Sequence, residues 1–471
     1  MKSNKVNSMQ MSGVTANLIQ KNRTKRVAKF SYSAIAGVVL ALNSSLSYAD
    51  GLGLQDVYKM ALQHDAKLAQ AESQFNADSE SVATAKSALL PQITADGSYF
   101  VSDSSYDPSD NHARDLSLTL NQPLYQHESW ARYEQAKYGI DLADATLKNA
   151  QQDLILRVTQ AYFDVLLAQQ NLRLSQTKEK ADYTNYETAQ ASAELGLSSK
   201  VDVLQAKSSY DLSKSETISV ENSLNVALEA LSKLTGQPVM RFEKNSLKQL
   251  MPNVVLPPET RPVEQLVKQA ETNNLQVKQS EAQLSSATEE IEVQRGGYYP
   301  TVALQAKYSD SAYSDYDNAY SASYNDKNTT SVGVVVSMPL YSGGGTNSQV
   351  ASAKYKTMAS QEALRDAKES AKLNVRTLKR NLEQGHKLIA ALREAVKSND
   401  AFLESAEEGY KVGLKSMLEV LTARTNQTSA HKNLIEAIHN QVLNELNLEA
   451  SLGDLTVEDI MKYEPLLQSV N

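Results

Sequence analysis

The sequence contains no cysteine and has little proline, glycine and tryptophan. Its 471 residues include 11 Pro, 18 Gly and 1 Trp. Without cysteine there is no disulfide framework, no thiolate nucleophile and no cysteine-ligated metal site. Few prolines and glycines favour long helices, because these residues interrupt helices most strongly. No apolar run approaches the roughly 20 residues that a spanning helix needs, which excludes a polytopic helical membrane protein.

Basic charge is concentrated in the first 49 residues. Residues 1–49 contain seven Lys or Arg and no acid, and the remainder has a net charge of −15, from 40 basic and 55 acidic residues. Because phosphate contacts need clustered cations, we expect no nucleic-acid partner. Nine apolar residues (34–42) follow the basic stretch, and Ser47-Tyr48-Ala49 places small residues before Asp50. This order predicts a signal peptide over 1–49, since nine apolar residues are too few to span a membrane.

The remaining chain is an internal duplication. Four blocks recur in the same order, at offsets of 209 to 217 residues: 68–75 as 277–284, 89–91 as 298–300, 120–125 as 336–341, and 196–206 as 413–423. Such ordered repetition indicates a repeated structural unit. We predict a first repeat over 50–235 (a helix, two strands and a long helical hairpin), a connector over 236–262, a second repeat over 263–455 and a C-terminal tail over 456–471.

Each repeat contains two segments in which apolar and polar residues alternate. They are 93–101 and 116–121 in the first repeat, where Phe100 breaks the pattern, and 302–308 and 332–338 in the second. A period of two predicts β-strands with one apolar and one polar face. Strands of about ten residues suit a barrel whose wall faces outer-membrane lipid. A small soluble sandwich has the same alternation.

The connections between these strands favour the barrel. We predict long polar loops at Ser102–Asn111 and Ser309–Thr330, and the second contains Tyr313, Tyr316, Tyr320 and Tyr324. Long outer loops and tyrosine-rich rims are typical of membrane barrels. Four strands cannot close one, since the smallest bacterial barrels have about eight and an open edge in lipid leaves backbone groups unsatisfied. Strands in a membrane would therefore require several chains to share one barrel.

The rest of the sequence predicts long helices. A heptad pattern predicts that they coil about each other, and in the first helix its positions are Leu147, Gln151, Leu154, Val158, Ala161, Val165, Ala168 and Leu172. We predict helices over 126–195, 199–235, 346–408 and 416–452, with turns at Gly196 and near Gly413. At ~1.5 Å per residue the first would be on the order of 100 Å long. A fibrous rod has similar heptads but needs neither a signal peptide nor strands.

No motif for catalysis or metal binding is found. Gly343-Gly-Gly345 is not followed by Lys-Ser or Lys-Thr, so it is not a P-loop. The six histidines lack metal-ligand spacing such as His-Glu-x-x-His, and no serine lies in a nucleophile elbow. We therefore expect no enzyme, no cofactor and no metal site.

Several short motifs occur in a characteristic order along residues 50–455. They are Pro-Leu-Tyr after each second strand, Tyr341-Ser-Gly-Gly, Gly409-Tyr-Lys-Val-Gly413, Glu419-Val-Leu and Ala450-Ser-Leu-Gly-Asp-Leu455. Together they resemble the TolC family of outer-membrane efflux proteins. The resemblance implies a mainly α-helical homotrimer with long antiparallel coiled-coil helices. Its three chains share a 12-stranded β-barrel, open to the outside, and an α-helical periplasmic tunnel that the helix turns close.

The resemblance also implies partners and cargo. In this family the tunnel docks onto a periplasmic adaptor protein and an inner-membrane pump or secretion ATPase. The exported compounds are drugs, dyes, bile salts or secreted proteins. A structural or adhesive coiled-coil protein of the envelope, without transport activity, stays open as the alternative.

The family's closing contacts can be carried over to residues of this sequence. The resemblance implies a periplasmic gate latch in which Asp202 is bonded by Tyr410 and Lys415. Lys415 replaces an arginine and cannot form a bidentate pair with a carboxylate, so a weaker latch is expected. Glu419 matches the first of two acids that line the family's aperture, and Thr422 is found where the second would be. A solvated set of surface charges is the alternative, since exposed pairs usually contribute little.

Overall fold

The computed structural model describes residues 51–104, 107–196, 198–242, 246–250, 254–314 and 327–468. The predicted signal peptide over 1–49 and the loop tyrosines Tyr316, Tyr320 and Tyr324 lie outside these residues.

Two similar series of helices and strands make up the described residues. The elements are α1 Leu54–His64, α2 Ala66–Ser87, β1 Gln92–Ser104, β2 Asp107–Tyr125, α3 His127–Glu194, α4 Lys200–Thr235, β3 Gln249–Leu250, α5 Val263–Asn273, α6 Leu275–Arg295, β4 Thr301–Ser314, β5 Lys327–Ser337, α7 Gly345–Lys411, α8 Met417–Leu452, α9 Val457–Met461 and β6 Leu467–Gln468. The four long helices α3, α4, α7 and α8 confirm the predicted bounds to within three residues. Across these ranges, no helix is both long enough and apolar enough to cross a membrane.

Four strands form one antiparallel sheet in the order β1-β2-β4-β5. The pairing aligns Ile93, Leu120, Ala306 and Val332 in one row across the sheet. The next row, with side chains on the opposite face, contains Thr94, Thr119, Lys307 and Ser331. The register therefore confirms the predicted alternation, because all four strands place most of their apolar residues on the same face.

The predicted loop bounds Ser102–Asn111 and Ser309–Thr330 are wrong. β1 continues to Ser104 and β2 begins at Asp107, with Ser104 paired to Asp107. β4 likewise continues to Ser314, and β5 begins at Lys327. These stretches are polar and have low strand propensity, but pairing across each hairpin overrides that preference.

The main hydrophobic core lies where α1, α3, α4, α8 and the connector meet. Tyr162, Phe163 and Leu166 of α3 are fully buried there, with Phe242 and Leu247 of the connector. The Tyr162 hydroxyl donates to the carbonyl of Lys248 at 2.6 Å. Burial of each large side chain contributes about 1.5–3 kcal/mol.

Both ends of the described chain pair with the connector. Leu52 forms a parallel bridge with Leu247, and β3 pairs with β6 through Gln249–Gln468 and Leu250–Leu467. The connector thus lies between the N-terminal and C-terminal segments, and it attaches both to the core.

The heptad pattern of α3 is confirmed in its middle and wrong at one position. Leu154, Val158 and Val165 are buried, whereas Gln151 is exposed and Gln152 is buried. An α-helix drifts by about 20° per heptad from a 3.5-residue repeat, which moves the buried stripe to the neighbouring residue. Gln152 is also held by a hydrogen bond from its side-chain amide to the carbonyl of Leu455, at 3.4 Å.

The long helices pack side by side in sets of four. Near the sheet, α3 lies between α2 and α6, and α6 packs against α7. Beyond the main core, α3 packs against α4 and α8, and α8 packs against α7. The turns between α3 and α4 and between α7 and α8 therefore lie at the same end, far from the sheet.

Candidate functional site

The predicted site residues lie around these two turns. Gly196 follows α3 with φ +72°, and Gly413 follows α7 with φ +78°. This left-handed conformation favours glycine. A Cβ at either position would meet no atom within 4 Å, so conformation rather than space requires glycine. The N–H of Gly413 donates to the Tyr410 carbonyl at 3.0 Å and the N–H of Leu414 to the Gly409 carbonyl at 2.8 Å, which terminates α7.

A small apolar cluster joins the two turn regions. Ala189, Ala206, Met417 and Leu421 are its buried members, from α3, α4 and α8, and Tyr410 of α7 packs against them. A second cluster, which includes Val420, also contacts Tyr410. Val420 and Leu421 therefore face neighbouring helices, while the adjacent Glu419 is half-buried.

Asp202 and Glu419 occupy equivalent positions in the duplication, and each closes a capping box. Asp202 accepts a hydrogen bond from the N–H of Ser199 at 3.1 Å, and its own N–H donates to the Ser199 hydroxyl. Glu419 accepts from the N–H of Ser416 at 2.9 Å, and its N–H donates to the Ser416 hydroxyl. Both acids thus satisfy N–H groups that a helix start leaves unpaired.

The sequence analysis missed the capping serines Ser199 and Ser416, which bond the two acids. Their signal is visible in the sequence, because Ser-x-x-Asp and Ser-x-x-Glu each follow a glycine turn by three residues.

Lys415 pairs with Glu419 rather than with Asp202 in the part of the chain that the structure describes. Its Nζ lies 2.7 Å from Oε1 of Glu419. The Lys415 ammonium, followed by the N–H and the hydroxyl of Ser416, lowers the pKa of Glu419 to about 2. Gly409 makes room for the lysine stem, because a Cβ there would lie 2.6 Å from Cγ of Lys415.

Asp202 is close enough to Tyr410 for its charge to act on the tyrosine hydroxyl. Burial and then the negative charge of Asp202 raise the pKa of Tyr410. Hydrogen bonds from the hydroxyl and N–H of Ser199, and from the hydroxyl of Ser198, lower the pKa of Asp202. The structure therefore brings Asp202 near Tyr410, and Lys415 near Glu419.

Thr422 supplies no second acid. Its hydroxyl donates to the carbonyl of Leu418 in the same helix, at 2.8 Å. In the described ranges, no three His, Asp or Glu side chains come together as a metal site would require.

Polar contacts across the α7–α8 hairpin were also missed by the sequence analysis. Arg424 forms an ion pair with Glu407. Asp400 accepts from the amide of Gln427 at 2.9 Å and lies 3.0 Å from Nε2 of His431. The pairs Glu407–Arg424 and Asp400–His431 are symmetric about the same point of the chain, between Lys415 and Ser416. In an antiparallel hairpin, residues that are symmetric about the midpoint lie opposite each other. This symmetry could have predicted both pairs from the sequence.

Comparison with known proteins covers both repeats. The model of the family described as "Outer membrane efflux protein" matches residues 57–237 and 266–454. The outer membrane protein TolC of Vibrio cholerae is 30% identical over 437 residues, which is 93% of this chain and 97% of the relative. The proteases secretion protein PrtF of Dickeya chrysanthemi is 27% identical, over 92% of this chain and 94% of the relative.

A solved structure has a similar fold. The outer membrane protein VceC of Vibrio cholerae superposes with a TM-score of 0.71 and 19% identity, over 85% of this chain and 96% of VceC. At this identity the similarity concerns the fold. The family match over both repeats is independent of it, and the chain belongs to the outer membrane efflux protein family.

Proposed function

We propose that this protein is the outer-membrane exit duct of a tripartite efflux or type I secretion system. It passes drugs, dyes, bile salts or secreted proteins from a periplasmic adaptor and an inner-membrane pump or secretion ATPase to the outside. The observation that carries this proposal is the four-stranded sheet with one apolar face, continued by helices of 68 and 67 residues. Conduction through a pore needs no catalytic group, and we propose neither enzymatic activity nor a cofactor.

The sheet supports a homotrimer. β1 and β5 form its two edges and run in opposite directions. β5 of one copy can therefore pair antiparallel with β1 of the next, and three copies give twelve strands. Closure satisfies the edge N–H and C=O groups that lipid cannot. Exposed residues such as Ile93 (68%) and Val332 (70%) would then contact outer-membrane lipid.

The helices support a tunnel through the periplasm. At each level along its length one chain contributes four helices, so three chains give twelve. A helix of 68 residues such as α3 is about 100 Å long. The turns at Gly196 and Gly413 then lie at the inner end, where a periplasmic adaptor can dock.

The residues around the turns would form the gate. In this proposal Asp202, Tyr410 and Lys415 hold the inner end closed, and Glu419 lines the aperture. An ammonium group has three donors. Lys415 can therefore keep its bond to Glu419 and still donate to Asp202 of a neighbouring copy.

Transport in the native host tests the proposed duct. A strain with the gene deleted is expected to accumulate a fluorescent dye, and the wild-type gene is expected to restore efflux. If the deletion leaves dye efflux and protein secretion unchanged, the protein is not an exit duct. That outcome would favour the structural or adhesive envelope protein.

A further inference from the structure

A cavity of about 390 Å³ lies between the connector and the long helices. Its wall is formed by β3 and β6 on one side and by α3, α7 and α8 on the other. None of the described residues that line it belongs to the proposed gate. The volume falls in the range of about 300–1,000 Å³ that sites for small molecules occupy, which makes the cavity a candidate binding site.

The wall of the cavity combines aliphatic side chains with amides and imidazoles. The aliphatic part consists of Leu250, Val396, Leu434, Ile435 and Ile438. Among the described lining residues there is no Asp, Glu, Lys or Arg. A ligand with a full charge would therefore lose its hydration without meeting an opposite charge on the wall, so this composition favours an uncharged ligand.

Gln249 of β3 offers a hydrogen-bond donor at this wall. The residue is 7% exposed, and its Oε1 accepts from Nη1 of Arg173 at 3.4 Å. Because arginine can only donate, this contact identifies which end of the amide is the oxygen. The other end, Nε2, is buried and has no partner among the residues that the structure describes.

His439 of α8 offers a second polar group at the same wall. It is 3% exposed, and its ring is held against that of Phe163, with centroids 5.3 Å apart. Within the described part of the chain, its buried Nδ1 has no hydrogen-bond partner. Burial lowers the pKa of His439 to about 4, so at neutral pH the uncharged ring has one donor and one acceptor nitrogen. Since buried polar groups are nearly always bonded, the two residues together point to a ligand that bonds both.

We propose that this cavity binds a small uncharged amphipathic compound with an apolar body and a carboxamide-type head. The carbonyl of the head accepts from Nε2 of Gln249, and its N–H donates to a ring nitrogen of His439. The apolar body packs on the aliphatic part of the wall, where Ile435 and Ile438 lie. This binding function goes beyond the proposed duct and does not depend on conduction.

The test is isothermal titration of the purified, assembled protein in amphipol at neutral pH, with benzamide as the probe. We expect saturable binding with one site per chain, and binding of benzoate at least tenfold weaker, because its carboxylate is charged and has no donor. His439→Phe keeps a ring at this position and removes its nitrogens, so we expect it to weaken benzamide binding by about tenfold. Ile435→Trp fills the cavity and is expected to abolish binding.

His386→Phe is the matched control, because His386 lies on α7 and is not among the residues that line the cavity. It is expected to bind benzamide as wild type does. The proposal is overturned if benzamide shows no saturable binding, if benzoate binds equally well, or if His386→Phe weakens binding as much as His439→Phe. It is also overturned if both cavity variants bind as wild type does, since the compound then binds elsewhere. Binding by a protein that forms no pore would refute the duct alone, and a pore without binding would refute only the cavity site.

Discussion

Single side chains around the turns serve both the helices and the proposed gate. Asp202 and Glu419 start α4 and α8 through the same capping box. Their second contacts differ, since Tyr410 lies near Asp202 while Lys415 bonds Glu419. The two repeats therefore share the capping box that starts the helix, but they differ in the residues that contact each acid.

Asp202 is expected to keep the inner end closed. Asp202→Ala removes the acid of the latch and one capping contact, and loss of a cap costs about 1 kcal/mol locally. We expect a higher single-channel conductance in planar bilayers, because the turns separate more readily. Asp211→Ala, which removes an exposed acid of the same helix that is paired with Lys207, should leave the conductance unchanged. Equal conductance of Asp202→Ala and wild type would show that the latch is misplaced.

His439 is expected to make the stability of the protein depend on pH. It is 3% exposed beside Phe163, and burial lowers its pKa to about 4. In the unfolded state His439 has an ordinary pKa near 6.5. Between about pH 4 and pH 6.5 the unfolded state therefore binds more protons than the folded state. The contribution of His439 to the free energy of unfolding is therefore fully present above about pH 6.5. As the pH drops towards 4, the free energy of unfolding falls by on the order of 3 kcal/mol.

The comparison of wild type with His439→Phe isolates this effect. We expect the thermal midpoint in detergent to fall more between pH 7 and pH 4.5 for wild type than for the variant. An equal fall in both proteins would mean that His439 does not contribute.

At the level of strands and helices, periodicity predicts most of the fold. The long helices end where the sequence indicates, because glycine turns and capping serines delimit them. The strand lengths were underestimated, since Ser102–Ser104 and Asp107–Asn111 are polar and acquire strand structure only through pairing. The partner of Lys415 was not predictable either. It depends on the space that Gly409 leaves beside the lysine, which no pattern of residue types encodes.

The two faces of β5 are expected to tolerate charge differently. Val334 lies on the apolar face, in register with Leu304, and Val335 lies on the opposite face, beside Ala303. A lysine on the lipid face of a barrel costs roughly 2–4 kcal/mol at the bilayer midplane, whereas a lumen position stays in water. Val334→Lys should therefore reduce the amount of assembled protein in the outer membrane, measured by immunoblot of heat-resistant oligomers. Similar losses for Val335→Lys would contradict this assignment of faces.

For the assembled protein, the open sheet edges require several copies to share one barrel, and the proposed duct has three. We expect the detergent-solubilised particle to have the mass of three mature chains by light scattering. A stable particle with the mass of one chain would leave β1 and β5 unpaired in the membrane, which is incompatible with a barrel.

The formation of a pore by this assembly is the central claim, and single-channel recording tests it most directly. Purified wild-type protein, added to a planar bilayer in KCl, is predicted to insert with discrete conductance steps of uniform size. Each step corresponds to one barrel and its tunnel. Protein that inserts as an oligomer but gives no conductance step, even when the latch is removed by Asp202→Ala, would contradict the account.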